Sequence, residues 1–193
     1  CRLQNEISKF KKMKKVLFIC SILIVVGCKT EKKQEKFELN PNNQFKLLES
    51  LNDSLINLIP SDSKKIVDLG NAIKNKALKL YIDNQSDFTA QQHEFLLQCA
   101  ATGAESAKQY KDAASYFQKA QKRFPDSENA PVYLHNRARI LDNIIGDKNN
   151  ARLAYEDLIS LYPNHQLSKN ASIYLENAFG KSDQELLNLI NSN

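Results

Sequence analysis

The sequence predicts an all-α protein, and three observations predict it. From Gln44 onward, apolar residues recur at spacings of three and four, the period of a helix with one buried face. The breaks between these stripes fall at Pro60, Pro125, Pro131, Gly146, Pro163 and Gly180, residues that stop or start helices. No stretch alternates β-branched with polar residues. Five glycines and five prolines in 193 residues also leave little material for the tight turns of a many-stranded sheet.

Taken in chain order, the first element is not part of that ladder. Residues 1–27 hold six basic groups and one acid, while residues 28–193 hold 21 of each. The net charge of +5 therefore belongs to the N-terminal segment. A local excess of Lys and Arg, which phosphate neutralisation requires, is missing from the rest, so no nucleic-acid partner is expected. Met13-Lys14-Lys15, an 11-residue apolar run Val16–Val26 and Gly27-Cys28 follow the order of a secretory signal. A membrane-spanning helix needs about 20 apolar residues, so this run is too short to span. Met13 is the only methionine, which makes it the expected start and residues 1–12 an over-extended leader. Val25-Val26-Gly27-Cys28 resembles the lipobox of bacterial lipoproteins. That resemblance implies a signal peptide over 13–27, cleavage before Cys28 and acylation of that cysteine. Loss of the apolar run on cleavage leaves acyl chains as the anchor, worth about 0.8 kcal/mol per buried CH₂. With Cys1 and Cys20 upstream and Cys28 acylated, Cys99 is the remaining thiol, expected as a small buried hydrophobe. Residues 28–43 comprise the lipidated cysteine and a charged tether without an apolar stripe.

The helical domain is expected over 44–193. Phe45, Leu48, Leu51, Leu55 and Leu58 make a first stripe; Ile66, Leu69, Ile73, Ala77, Leu80 and Tyr81 make a second. A third runs through Leu96, Leu97, Ala100, Ala101 and Ala104, with Thr89 and Gln92 spaced as a capping box. Further helices are expected at 112–123, 131–145, 148–161, 167–179 and 183–190, the last behind a second capping box, Ser182 with Glu185.

Two of these helices are copies. Ala113, Phe117, Ala120 and Pro125 recur as Ala151, Tyr155, Leu158 and Pro163, the alanines, aromatics and prolines each 38 residues apart. The pattern resembles the second helix of the tetratricopeptide repeat, in which a small residue admits a neighbouring helix, an aromatic fills the next gap and Pro ends the helix. The first helices fit less well: Leu97, Ala101 and Ala104 in one unit, and Leu134, Ala138 and Leu141 in the next if a residue is inserted before Gly146. The family period is about 34. The extra residues are therefore placed in the 126–130 turn and before Gly146. Ala77 and Tyr81 mark a degenerate upstream unit. The resemblance implies a short, right-handed solenoid of helical hairpins with degenerate terminal repeats.

Chemistry is sparse. His93, His135 and His165 lack metal-type spacing, and no nucleophile, phosphate-loop or dinucleotide motif occurs. No enzyme activity, cofactor or metal is expected. In tetratricopeptide proteins the first helices line a groove for peptides or partner proteins. Carrying those positions across implies a candidate groove of Gln98, Thr102 and Glu105 on one helix and His135, Arg139 and Asp142 on the next.

Lipobox, tether and degenerate repeats together resemble the tetratricopeptide lipoproteins of Gram-negative envelopes. Tyr162-Pro163-Asn164-His165 and Gly180-Lys181-Ser182-Asp183 are similar to segments of the YbgF-like, Tol–Pal-associated set of Bacteroidetes. This resemblance implies a lipid-anchored adaptor of the outer membrane, with its domain in the periplasm and an envelope protein or peptide as partner. The alternatives are a binder of peptides or cell-wall fragments, or an assembly accessory factor resembling BamD.

Overall fold

The structure, a computed structural model, describes residues 40–84, 86–182, 184–185 and 187–188. Cys28, the apolar segment and the tether as far as Leu39 lie outside the described residues, as does much of the expected last helix.

The described chain is a run of seven α-helices: α1 (Pro41–Ile56), α2 (Ser63–Asp83), α3 (Ala90–Ser106), α4 (Tyr110–Arg123), α5 (Ala130–Ile140), α6 (Lys148–Leu161) and α7 (Gln166–Asn177). A 3₁₀ turn at Pro60–Asp62 precedes α2, and α5 runs on into a π turn at Leu141–Ile145. No strand occurs among the described residues. Each helix packs chiefly on the next, which makes the molecule a ladder of helical hairpins. The expected helical repeat solenoid is the observed fold. No helix among the described residues is long and apolar enough to cross a membrane.

Local chemistry sets the helix starts. At α1 the Asn40 side chain accepts the Asn42 N–H at 2.9 Å and Pro41 holds the first helical position, so the helix begins ahead of the first apolar residue. The capping box at α3 is formed: Gln92 N–H donates to Thr89 Oγ1 at 3.2 Å, and Thr89 N–H donates to Gln92 Oε1 at 2.9 Å. Asp147 caps α6 by accepting the Asn150 N–H at 3.1 Å. Glu185 likewise accepts the Ser182 N–H at 2.7 Å, which closes the second expected box and holds the Glu185 carboxyl below its usual range.

The core is laid down in successive layers. Phe45, Leu48, Ile73, Ala77, Leu80 and Leu96 join α1, α2 and α3. Leu97, Ala113, Phe117, Tyr133 and Ile140 join α3, α4 and α5. Leu134, Ala154, Tyr155, Leu158 and Ala171 join α5, α6 and α7. Cys99 is 1% exposed, and burial, followed by Glu49 and Asp53, pushes its thiol up to about 12, as suits a core hydrophobe.

The two copies are structurally equivalent. Ala113 and Ala151 are both fully buried. Phe117 stacks on Tyr133 of α5 with ring centroids 6.3 Å apart, and Tyr155 meets Tyr174 of α7 edge-on at 5.4 Å. In each unit the aromatic thus fills the gap to the following helix. The hairpin turns match too. Lys108 at φ 60° and Gly146 at φ 78° stand 38 residues apart, both left-handed; only the second unit has glycine, which adopts that conformation without a Cβ penalty. The extra residues lie where the repeat comparison placed them. The turn between α4 and α5 takes some. The π turn takes one more: Gly146 N–H donates to Leu141 O, five residues back, where an α-helix closes at four.

Candidate functional site

α3 and α5, the first helices of the two copies, run side by side. At 100° per residue, Gln98, Thr102 and Glu105 fall within about 60° of arc on α3, and Glu94 extends the same stripe by one turn. Side chains bridge from this stripe to α5. Tyr133 donates its hydroxyl to the Glu94 carboxylate at 2.7 Å and lies 3.5 Å from Gln98 Oε1. Arg139 Nη2 meets Glu105 Oε1 at 2.5 Å. The pairs 94–133 and 105–139 ascend together, so the two helices are parallel.

Five of the six expected groove residues remain partly exposed. Gln98, Thr102, Glu105, His135 and Arg139 are each half-buried. Their polar groups are partly committed within the fold. The Thr102 hydroxyl donates to the Gln98 carbonyl at 3.0 Å. Glu105 and Arg139 neutralise one another, with side chains 27% and 34% exposed. His135 sits edge-on to Tyr155 at 6.5 Å. Burial, and then the Arg139 charge, hold its pKa below the usual value of 6.5, so it is neutral at pH 7. The face is thus polar, with the Arg139 and Glu105 charges spent on one another.

Asp142 departs from the expectation. Its side chain is fully buried; it accepts the Tyr174 hydroxyl at 2.6 Å and the Lys148 ammonium at 2.5 Å. Helix α7 covers this end of α5, so Asp142 ties three elements together and does not face a partner. Lys148 and Arg152 lie over the Phe179 ring at 5.6 Å and 4.6 Å, packing the same corner.

Glu94 is the residue the sequence reading missed. Besides Tyr133 it accepts the Ser127 hydroxyl, and Asn129 Nδ2 at 3.3 Å. It therefore pins the turn before α5 to the second turn of α3. Its signal was available, because it lies four residues before Gln98 on the same stripe. At the turn ends, a groove of about 680 Å³ is lined by Glu128, Pro131, Leu161, Tyr162, Pro163 and His165, among others. Tyr162 closes its floor by donating to the Pro125 carbonyl at 2.8 Å. Among the described residues, no group of three or more His, Cys, Asp or Glu is arranged to hold a metal ion.

Residues 100–127 and 133–165 match the family model of the tetratricopeptide repeat. The two matched stretches hold the second helices α4 and α6, the hairpin turns before them, and the paired Ala, aromatic and Pro positions on which the resemblance rested. No curated protein and no solved structure matches the chain. Repeats of this kind form protein-interaction modules. The hairpin ladder, the duplicated packing positions and these two matches agree in supporting tetratricopeptide-type repeats within residues 100–165.

Proposed function

We propose that this protein is a membrane-tethered adaptor of a bacterial envelope, held by acyl chains on Cys28 and capturing a protein or peptide on the α3–α5 face, without catalysis of its own. One observation carries the reading of the face. The two parallel first helices carry Gln98, Thr102, Glu105, His135 and Arg139 half-exposed, and Thr102, Glu105 and Arg139 are held by internal hydrogen bonds. Such pre-positioned polar groups lose little rotamer freedom on binding. Because Arg139 and Glu105 are paired and His135 is neutral, hydrogen bonding and shape dominate the encounter, and its salt dependence is weak.

The lipobox resemblance carries the anchor and its outer-membrane, periplasm-facing placement. Labelling with a palmitate analogue tests the anchor: Cys28→Ala should abolish the label, and undiminished label would remove the assignment. Co-purification from envelope extract with the anchor intact tests the face. Gln98→Ala combined with His135→Ala should lower partner recovery with little change in melting. Unchanged recovery would move the binding surface elsewhere.

A second reading, capture of short peptides or cell-wall fragments, draws on the 680 Å³ groove, whose wall of Pro131, Leu161, Tyr162 and Pro163 carries Glu128 and His165 at its rim. Cross-linking separates the two: cross-links to Gln98 and His135 favour the adaptor, and cross-links to Glu128 and His165 favour the groove.

A further inference from the structure

A second polar surface lies on the other side of α3. His93 is five residues before Gln98, about 140° away around the helix axis, so it faces away from the α3–α5 stripe. There a cavity of about 570 Å³ is lined by Tyr81 from α2, Ala90 and His93 from the start of α3, and Lys119 and Arg123 from the end of α4. The next hollow along α4, about 380 Å³, shares Lys119 and Arg123 and adds Lys122, Ser115 and Gln118. Three cations therefore line two adjoining hollows.

These cations are not consumed by the fold. None of Lys119, Lys122 and Arg123 is within ion-pair distance of a carboxylate among the described residues. Among the described residues, no acid lines either hollow. Position in the last turn of α4 gives Lys122 and Arg123 a favourable interaction with the helix dipole, but that does not neutralise them. Lys119 is further oriented: its ammonium lies 5.1 Å from the centre of the Tyr81 ring, which itself meets His93 edge-on at 5.3 Å. The hollow also meets Ala90 in the first turn of α3, where the helix dipole is positive although Thr89 already accepts the Gln92 N–H. A flexible ammonium and a planar guanidinium lining one half-open hollow beside a helix start match a group with several anionic oxygens. The volume leaves room for more than a single ion.

We infer that the hollow between α2, α3 and α4 binds the phosphate group of a ligand through Lys119 and Arg123, independently of the α3–α5 face. A soluble phosphate ester and a phospholipid headgroup share this chemistry, and the test separates them.

Inorganic pyrophosphate is titrated into the full-length chain and followed by amide chemical shifts of Tyr81, His93 and Lys119. The same chain is sedimented with phosphatidylcholine vesicles with and without phosphatidylglycerol. The site variant is Lys119→Gln with Arg123→Gln. A control, Lys64→Gln with Lys169→Gln, removes the same charge from two exposed lysines elsewhere. Both variants are checked for an unchanged melt, as expected for exposed charges. Pyrophosphate affinity should fall by about tenfold in the site variant and stay level in the control, the loss expected for charge-assisted contacts. If phosphatidylglycerol also recruits the natural chain more than the site variant, the phosphate is a headgroup's; if recruitment is equal, it belongs to a soluble ester. Equal loss in both variants would reduce the effect to net charge and overturn the site. So would shifts confined to other residues, or no response to pyrophosphate and no site-dependent recruitment.

Discussion

Gly70 of α2 and Gly103 of α3 touch backbone to backbone. A methyl group built on either would stand 2.7 Å from the other's carbonyl oxygen, and one on Gly103 would also stand 2.8 Å from Lys74 N. Helices α2 and α3 meet closely at this point. Nearby, Gln109 fastens the α3–α4 turn to α2 by donating to Asn71 Oδ1 at 2.8 Å and accepting from Lys74 Nζ at 2.5 Å.

Gly103→Ala should therefore destabilise the domain. Alanine favours a helix by about 1 kcal/mol over glycine. The atoms it would strike are backbone and cannot swing aside, so the overpacking penalty, roughly 1–3 kcal/mol, should win. A urea melt with a lowered midpoint is the expected result. A stabilised variant would mean that the two helices can separate freely.

Ala113→Leu and Ala151→Leu should each cost roughly 1–3 kcal/mol for the same reason, since both alanines are fully buried at equivalent helix contacts. The informative comparison is between them. Similar losses would show that the two copies are packed alike, whereas a loss at one position alone would make the 38-residue match a coincidence of sequence.

Asp142→Ala and Arg139→Ala should differ. Removing Asp142 strands the half-buried Tyr174 hydroxyl and takes the buried carboxylate from Lys148, a loss of roughly 1–3 kcal/mol. Removing Arg139 breaks a partly exposed ion pair, which is worth less than about 1 kcal/mol. Thermal melts of the two variants should rank in that order, and the reverse order would return Asp142 to the surface role the sequence suggested.

Alkaline pH should loosen the domain. Burial and then Asp142 push the Tyr155 phenol up to about 12, from an ordinary value of 10.0. Burial followed by hydrogen bonding to a carboxylate also raises Tyr133 and Tyr174. Between the unfolded and folded values the folded chain holds more protons. This contribution to stability is therefore full below pH 10 and is lost as pH rises through the folded values. Melts from about pH 8 to about pH 12 should show the midpoint falling in the upper half of the range, with a shallower fall in Tyr155→Phe. A flat profile would mean that these phenols are hydrated.

Helical period and punctuation revealed the ladder because each helix buries one face against its sequence neighbour. Ile73, Ala77 and Leu80, or Leu96, Leu97, Ala100 and Ala101, could hardly be placed otherwise. Pairings across helices were less visible. Nothing in the spacing of Asp142 distinguishes it from Arg139 three residues earlier. Its burial comes from α7, which reaches it through Tyr174, 32 residues away. Gly70 and Gly103 escaped notice for a similar reason. A glycine within a helical stripe reads as a weak point until the opposing backbone is in view. The α3 and α5 positions came from the tetratricopeptide resemblance rather than from period; Glu94 was missed because the stripe was read from Gln98 onward.

The π turn at Leu141–Ile145 gives this architecture slack. A residue added to a regular helix rotates everything beyond it by about 100°, turning a buried face toward water. Here the surplus is taken up in one widened loop of backbone, ended by Gly146 in its left-handed conformation. Past that point Ala151, Tyr155 and Leu158 face inward as Ala113, Phe117 and Ala120 do one unit earlier. The rungs of the ladder can thus differ in length while staying in phase. A lineage of such proteins could gain or lose single residues at this joint without redrawing the packing on either side.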